Sequence, residues 1–396
     1  MSYINFKEER AAAKEQLKKR KENNHEISKN MIKNKECSNE FNADNQYSYK
    51  TICNELLGKK GIENENEFLE IKNKDIVCCR FIQCKFNNVK FKDCKFIGCI
   101  FDKCEFGGGG VLFENCSFLK EDSSIKPSLN KKDNFSCYFT KCNLYVKILG
   151  CNAGFIIFEE SVFNTSSFEQ SDMSSIIIIH SELNRTTIID SNLSGIKVLN
   201  TYIEDLEFRD KQKSKLDEKS FFDKLVIRKK TRDEYEGIYT IYENLADKFK
   251  ENNLNNNFGE YYYICKTVQS KTLKLLPRIE SYLYWFTCGY GERPWYALIS
   301  SLVFVMLFGI AYLFTGLNVE GELVKYTLGT FKSIPFGNFI KDLGDGINLS
   351  VGVFGGVGWS SSEPTSMSYI LENVEVVVGV VMMGIGIGTL VRKVVR

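Results

Sequence analysis

The residues with the most chemical potential in this chain are its 14 cysteines, one glycine-rich apolar run and three carboxylates near apolar segments. So many cysteines can mark a zinc site or a disulfide framework. Zinc asks for closely spaced Cys or Cys/His pairs. The stretch CKFNNVKFKDC, residues 84–94, does not supply them, and the two histidines, His25 and His180, stand apart from any ligand partner. No Ser/His/Asp set is recognisable. The four glycines Gly107–Gly110 lack the Lys-Ser/Thr that completes a phosphate loop. No catalytic residue, metal or cofactor is therefore expected, and the chain does not read as an enzyme. The run INLSVGVFGGVGW, Ile347–Trp359, suits different chemistry. It is apolar but has only 13 residues, too few to cross a bilayer. Glycine adopts backbone conformations that a side chain forbids, so this run can line a path with carbonyl oxygens facing an ion. Glu372 and Glu375 lie inside an apolar segment, where a carboxylate is a functional candidate by default. Glu363, in SSSEP, comes just after the glycine run; it either rings a pore mouth and concentrates cations or is an ordinary loop charge.

Two long apolar segments frame that run. Trp295–Gly316 has 22 residues without a charge, enough to span a bilayer core at 1.5 Å per residue. Tyr369–Val391 is also of spanning length, with its two glutamates near one end and Arg392, Lys393 and Arg396 directly after it. Lys271, Lys274, Arg278 and Arg293 precede the first segment. Positive flanks face the cytoplasm, which puts both termini there and makes residues 317–368 external or re-entrant. Residues 1–22, charged and without an apolar core, carry no secretory signal and are expected to stay on the side of synthesis. Two spans around a re-entrant stretch make the minimal pore module of tetrameric cation channels. Ile347–Trp359 then supplies a short pore helix followed by irregular backbone, which a membrane tolerates only where it lines a cavity. Gly379, Gly384, Gly386 and Gly388 within the second span suit either close helix packing or a gating hinge.

The soluble part is governed by a period of five. A large apolar residue recurs at Phe81, Phe86, Phe91, Phe96, Phe101 and Phe106, and a small one stands two places earlier at Cys79, Cys84, Val89, Cys94, Cys99 and Cys104. The phase slips at Gly107–Gly110, read as a turn, and resumes at Phe113 and Phe118. After a polar insertion it returns at Phe139, Leu144 and Leu149, then runs through Phe158, Phe163, Phe168, Met173, Ile178, Leu183, Ile188, Leu193, Val198, Ile203 and Phe208. Neither a helix nor an alternating strand has this period. A coil with flat sides, each one pentapeptide long, does. The small residue makes room for the large one in a filled tube. With four sides to a coil and a spacing of ~4.8 Å, residues 71–210 give roughly seven coils and a rod of about 30–35 Å. Nine cysteines (Cys79, Cys84, Cys94, Cys99, Cys104, Cys116, Cys137, Cys142 and Cys151) fall on the small inward position, where Cys behaves as a small hydrophobe.

This repeat resembles the pentapeptide-repeat family, and the resemblance implies a right-handed quadrilateral β-helix. Some members of that family are DNA mimics that bind topoisomerases, which needs a strongly acidic rod. Here residues 71–210 carry 17 Lys and Arg against 18 Asp and Glu, so no nucleic-acid role is expected. Residues 71–150 carry a net +6 and residues 151–210 a net −7. A dipolar rod suits docking to a protein partner or a neighbouring subunit; ordinary solvation accounts for it equally.

Further matches lie outside the repeat: Tyr239–Leu245, Glu260–Tyr263, CGYGERPW at Cys288–Trp295, and GTLVRK at Gly388–Lys393. With them the chain resembles bacterial pentapeptide-repeat-containing ion channels with a two-transmembrane, potassium-channel-like pore domain. The resemblance implies a homotetramer in the cytoplasmic membrane and a filter of the form T-F-T-T-V/L-G-Y/F-G-D. Aligned on the central V-G, the filter here is Gly355, Gly356, Val357, Gly358, Trp359 and Ser360, followed by Ser361. Both threonines have become glycine, the second filter glycine is Ser360, and the aspartate is Ser361. Three outcomes follow from these departures: a wider or less selective filter, selectivity for another ion, or a pore that does not conduct. Glu375 matches a Glu in the family's second span, where it either braces the back of the pore helix or contacts the ion.

The expected architecture is mixed. Residues 1–70 form a polar N-terminal region, part helical or disordered. Residues 71–210 form the cytoplasmic solenoid. Residues 211–294 form a helical connector with an apolar stripe (Phe222, Leu225, Ile238, Ile241, Tyr242, Leu245, Phe249) and an aromatic interfacial helix. Residues 295–396 form the pore domain, with spans at about 295–316 and 369–391 and the pore helix and filter at about 347–361. The expected partners are three further copies, the lipid bilayer, permeant inorganic ions and an unknown cytoplasmic protein on the solenoid. The leading reading is a cation-conducting channel. Its alternative is a membrane-anchored scaffold whose pore module is degenerate.

Overall fold

The computed structural model describes residues 4–31, 37–38, 50–59, 68–119, 136–327, 329, 335–358 and 362–395. The chain forms two compact units, residues 1–272 and 273–396.

In the first unit the five-residue period becomes a four-sided coil. Phe81 pairs in parallel with Phe101, and Phe86 with Phe106, so four pentapeptides bring the chain back to the side it left. One side stacks into a nine-stranded parallel sheet in which Ile52, Phe81, Phe101, Phe139, Phe158, Ile178, Val198 and Phe222 succeed one another. The whole is a β-solenoid of about seven turns. The ring centroids of Phe81 and Phe101, Phe101 and Phe139, and Phe139 and Phe158 are 5.0, 4.4 and 5.0 Å apart. These values lie close to the ~4.8 Å between strands, so the rings ride on the backbone ladder. Three residues before each large one the backbone turns left-handed, at Cys78, Gln83, Asn88, Asp93 and Gly98 with φ from 51° to 64°. That conformation costs roughly 1–2 kcal/mol for most side chains, and the buried core offsets it.

The small inward residues do more than leave space. Cys104 Sγ donates to the Phe81 carbonyl at 3.4 Å and Ser166 Oγ to the Leu144 carbonyl at 3.0 Å, each one coil back. The Ser161 amide donates to Ser181 Oγ at 3.1 Å and the Ser191 amide to Ser214 Oγ at 3.1 Å. Small residues that also hydrogen-bond satisfy backbone groups inside the tube, which favours Cys and Ser at many of these positions.

Three sequence expectations need correction. The coil's sheets begin ahead of Ile71, with Cys37–Ser38 paired in parallel to Thr51–Cys53, and with Leu56–Gly58; Ile52 and Leu57 are the inward residues of the latter two strands, and without Phe the period is faint. Ile148 rather than Leu149 points inward. The chain stays extended and alternating through Asn143–Leu149, so Val146 takes the small slot without a left-handed corner. Gly107–Gly110 forms a bulge within the strand Glu105–Glu114, where register shifts before Val111, and not a turn.

Helix α1 (Phe6–Met31) lies on the outer face of the nine-stranded sheet. Its Ala13 and Leu17 are buried against Ile157, Ile177, Ile179, Leu199 and Phe221. Charged contacts fix it: Arg10 to Asp223 at 2.8 Å, Glu9 to Lys197 at 2.7 Å and Lys21 to Glu159 at 2.6 Å. Helices α2 (Arg232–Glu251) and α3 (Asn255–Gln269) pack together beside the last coil. Thr231 caps α2. The seven residues of the connector's apolar stripe are all buried in the core they share with the coil. Tyr261 Oη accepts from the Phe222 amide at 2.7 Å and donates to its carbonyl at 2.8 Å. This closes a coil edge that would otherwise present unpaired backbone.

The second unit contains α4 (Leu275–Cys288), α5 (Pro294–Thr315), α6 (Phe336–Phe354) and α7 (Tyr369–Val395). A small antiparallel sheet joins Leu317–Val319, Glu322–Val324 and Ser362–Pro364. Pro294 opens α5, where its missing N–H costs nothing. Both α5 and α7 are long and apolar enough to cross a membrane, and only 33% and 22% of their most apolar stretches are buried. Helix α6 starts at Phe336, well before Ile347. Gly337, Gly344 and Gly346 hide its helical character in the sequence, but Phe339, Leu343 and Leu349 keep one apolar face packed.

Candidate functional site

Helix α6 packs against both α5 and α7, and glycines set how closely. A Cβ on Gly346 would stand 2.6 Å from the Gly309 carbonyl oxygen of α5, and one on Gly379 of α7 would collide with the Phe354 carbonyl. Between these two contacts lies Glu375, fully buried on α7. Its Oε2 accepts a hydrogen bond from Tyr312 Oη of α5 at 2.7 Å, and its Oε1 accepts from Ser350 Oγ of α6. Ser350 Oγ also lies 3.0 Å from the Val305 carbonyl of α5. One carboxylate thus joins three helices within one turn of the end of α6.

Beyond that end the backbone folds back on the helix. The Gly355 amide donates to the Val351 carbonyl at 3.0 Å, Gly356 to Val353 at 3.1 Å, and Val357 to Gly352 at 3.0 Å. Gly356 and Gly358 both have φ of 67°, a left-handed conformation that a β-branched residue resists. Their open sides meet nothing within 4 Å, and Val357 is 66% exposed. The remaining expected filter residues, Trp359 and Ser360, lie outside the described residues.

The other sequence candidates divide. Glu372 is half-buried in the first turn of α7, one helical turn before Glu375. Glu363 is exposed, on a strand opposite Asn318. Of the glycines in α7, Gly379 is a packing contact, Gly384 and Gly388 face open space, and a Cβ on Gly386 would stand 3.9 Å from the Ala297 methyl. Tyr312, Ser350, Gly309 and Gly346 did not stand out in the sequence. Their one available signal was a polar or very small residue inside an otherwise apolar run. Among the described residues no group of three His, Cys, Asp or Glu could hold a metal ion. His180 occupies a left-handed coil corner, its Nδ1 2.7 Å from Asn200 Nδ2 one coil on.

No family model matches this sequence, and no curated protein matches it. Among solved structures, the chain is similar to full-length QnrB1, a plasmid-mediated fluoroquinolone resistance protein, at 16% identity over 42% of this chain and 94% of that one, with a TM-score of 0.16. It is similar also to HetL, a pentapeptide repeat protein involved in heterocyst differentiation regulation in the cyanobacterium Nostoc, at 12% identity over 44% of this chain and 84% of that one, with a TM-score of 0.15. Scores this low add nothing to the coil register, and it is that register which makes the described residues between Thr51 and Phe222 a β-solenoid of five-residue repeats.

Proposed function

We propose that residues 273–396 are one subunit's share of a cation-conducting pore in the cytoplasmic membrane, and that the solenoid is its cytoplasmic docking or sensing body. The observation that carries this reading is the buried Glu375 cluster. It holds α6 rigidly between two lipid-length helices, and α6 ends in a glycine segment whose other side is open. A carboxylate in that position is costly in an apolar setting; bracing a filter gives it a reason, and its two hydroxyl partners favour bracing over direct ion contact. The end of α6 nearest the glycines is its carbonyl end, the negative pole of the helix dipole, which favours cations. One chain leaves Gly356, Val357 and Gly358 uncovered on one side, so a lumen requires further copies, and a homotetramer fits the two-span module. Both termini are then cytoplasmic, as the positive flanks require.

Reconstitution of the purified full chain in liposomes tests this. A cation flux is expected, with reversal potentials in asymmetric K⁺, Na⁺, Ca²⁺ and Cl⁻ naming the ion, and Glu375→Ala is expected to reduce that flux at least tenfold. No current under any gradient, voltage or tension would sink the reading. That result would favour a membrane-anchored scaffold with a non-conducting module, a second reading supported by the glycine at position 356 in place of a filter threonine.

A further inference from the structure

The turn between α4 and α5 has three consecutive left-handed residues, Gly289, Tyr290 and Gly291, with φ of 52°, 56° and 80°. A tyrosine there is uncommon, and its hydroxyl is held 2.9 Å from Ser281 Oγ. The turn aims Glu292 inward. That side chain is 1% exposed, and its Oε1 lies 3.0 Å from Arg392 Nη2, close to the C-terminal end of α7. Gly291 leaves the guanidinium its room, since a Cβ at that position would stand 2.9 Å from Arg392 Nη1.

We infer that Glu292 and Arg392 are positioning residues that latch the C-terminal end of α7 to the α4–α5 turn. Helix α7 is pinned twice. Glu375 and Gly379 fix its first half against α5 and α6, and Arg392 fixes its far end. Gly384 and Gly388, which face open space, and Gly386 lie between the two pins. Val378, Met382 and Ile385 also pack with Ala297, Val305 and Phe354 between the pins, so it is the stretch with Gly386 and Gly388 that opening of the latch frees to bend. Separating the arginine from a buried carboxylate is costly, so the latch resists opening. The turn directly follows α4, the element through which the chain leaves the first unit, so a pull along the backbone reaches this pair before it reaches the glycine segment. The consequence for conduction rests on the pore reading; the latch itself does not.

The experiment uses the full chain in lipid nanodiscs, with spin labels at Leu283→Cys and Val394→Cys, both exposed positions, diluted with unlabelled chain. A narrow distance distribution is expected with Glu292 and Arg392 intact. Glu292→Gln should broaden it, and flux through liposomes should change by roughly fivefold or more. The exchanged pair, Glu292→Arg with Arg392→Glu, should restore both. If the exchanged chain does not assemble, Arg392→Lys should keep the narrow distribution and Gly291→Ala should lose it. An unchanged distribution in Glu292→Gln overturns the latch, as does broadening in Arg392→Lys equal to that in Glu292→Gln. Broadening without current in any variant upholds the latch and counts against the pore.

Discussion

At the scale of single residues, position in the coil decides what a charged or nucleophilic group can do. Burial, with a smaller contribution from the neighbouring Cys99, pushes the Cys78 thiol up to about 12, so it is a packing residue and not a nucleophile. The sequence did not show this for Cys78, which sits at a left-handed corner outside the nine cysteines that the period placed inward; for those nine the packing role was legible, but their hydrogen bonds to the coil below were not, since spacing says nothing about donors. Outward residues behave differently. Glu114 lies between Lys90 and Lys92, at 2.6 and 2.8 Å, and hydrogen bonds from these two ammonium groups hold its carboxyl at about 2. An unfolded Glu titrates near ~4.3. A depressed folded pKa stabilises above the unfolded value, and that contribution fades as pH falls from about 4.3 toward 2. The carboxylate is partly solvated, so the effect is below about 1 kcal/mol. Wild type and Glu114→Gln should therefore melt together near pH 2 and separate above about pH 4.5, with wild type the more stable, in circular dichroism melts of the full chain. A gap that stays constant across this range would show that the pair does not act through ionisation.

At the scale of elements, the repeat was readable because it is a direct image of four flat sides. Elements held by contacts distant in sequence were not. Helix α1 looked merely polar, and the sheet face beneath it is apolar only where outward positions carry Ile157, Ile177, Ile179, Leu199 and Phe221. The run Ile176–Ile179, apolar on both faces of one strand, was the signal for a covering element. Helix α6 was cut short by its glycines, and in the site itself the resemblance pointed to Glu375 while its partners Tyr312 and Ser350 depended on how three helices cross. The packing of α1 makes a definite prediction. Its buried apolar residues are few and its charged anchors several, so removing residues 1–31 should leave the coil folded and uncover a contiguous apolar patch. Light scattering should then show concentration-dependent association of the shortened chain, and a hydrophobic dye should bind it but not the full chain. A shortened chain that remains as well dispersed as the full one, with no dye bound, would mean that α1 covers nothing of consequence.

At the scale of the whole molecule, the question is which side of a membrane each part occupies. Exposed apolar side chains surround α5 and α7: Leu298, Ile299, Leu302 and Leu307 on one helix, and Val377, Val380, Val381 and Ile387 on the other, are each more than half exposed. In water that surface would drive aggregation; in lipid it is the stable face. On the proposed reading two spans return the chain to the side it started from, so Asp233 and Arg392 would share a compartment and Leu317–Val324 would lie across the bilayer from them. The cationic flanks would put the former in the cytoplasm. Single cysteines distinguish the compartments. Leu323→Cys, 66% exposed, should react with a membrane-impermeant maleimide on intact cells, over the background of the unsubstituted chain. Asp233→Cys, exposed on α2, should react only after the cells are opened. Labelling of both in intact cells, or of neither until lysis, contradicts a two-span topology and with it the pore, because a re-entrant glycine segment has no meaning unless the stretch that contains it leaves the cytoplasm.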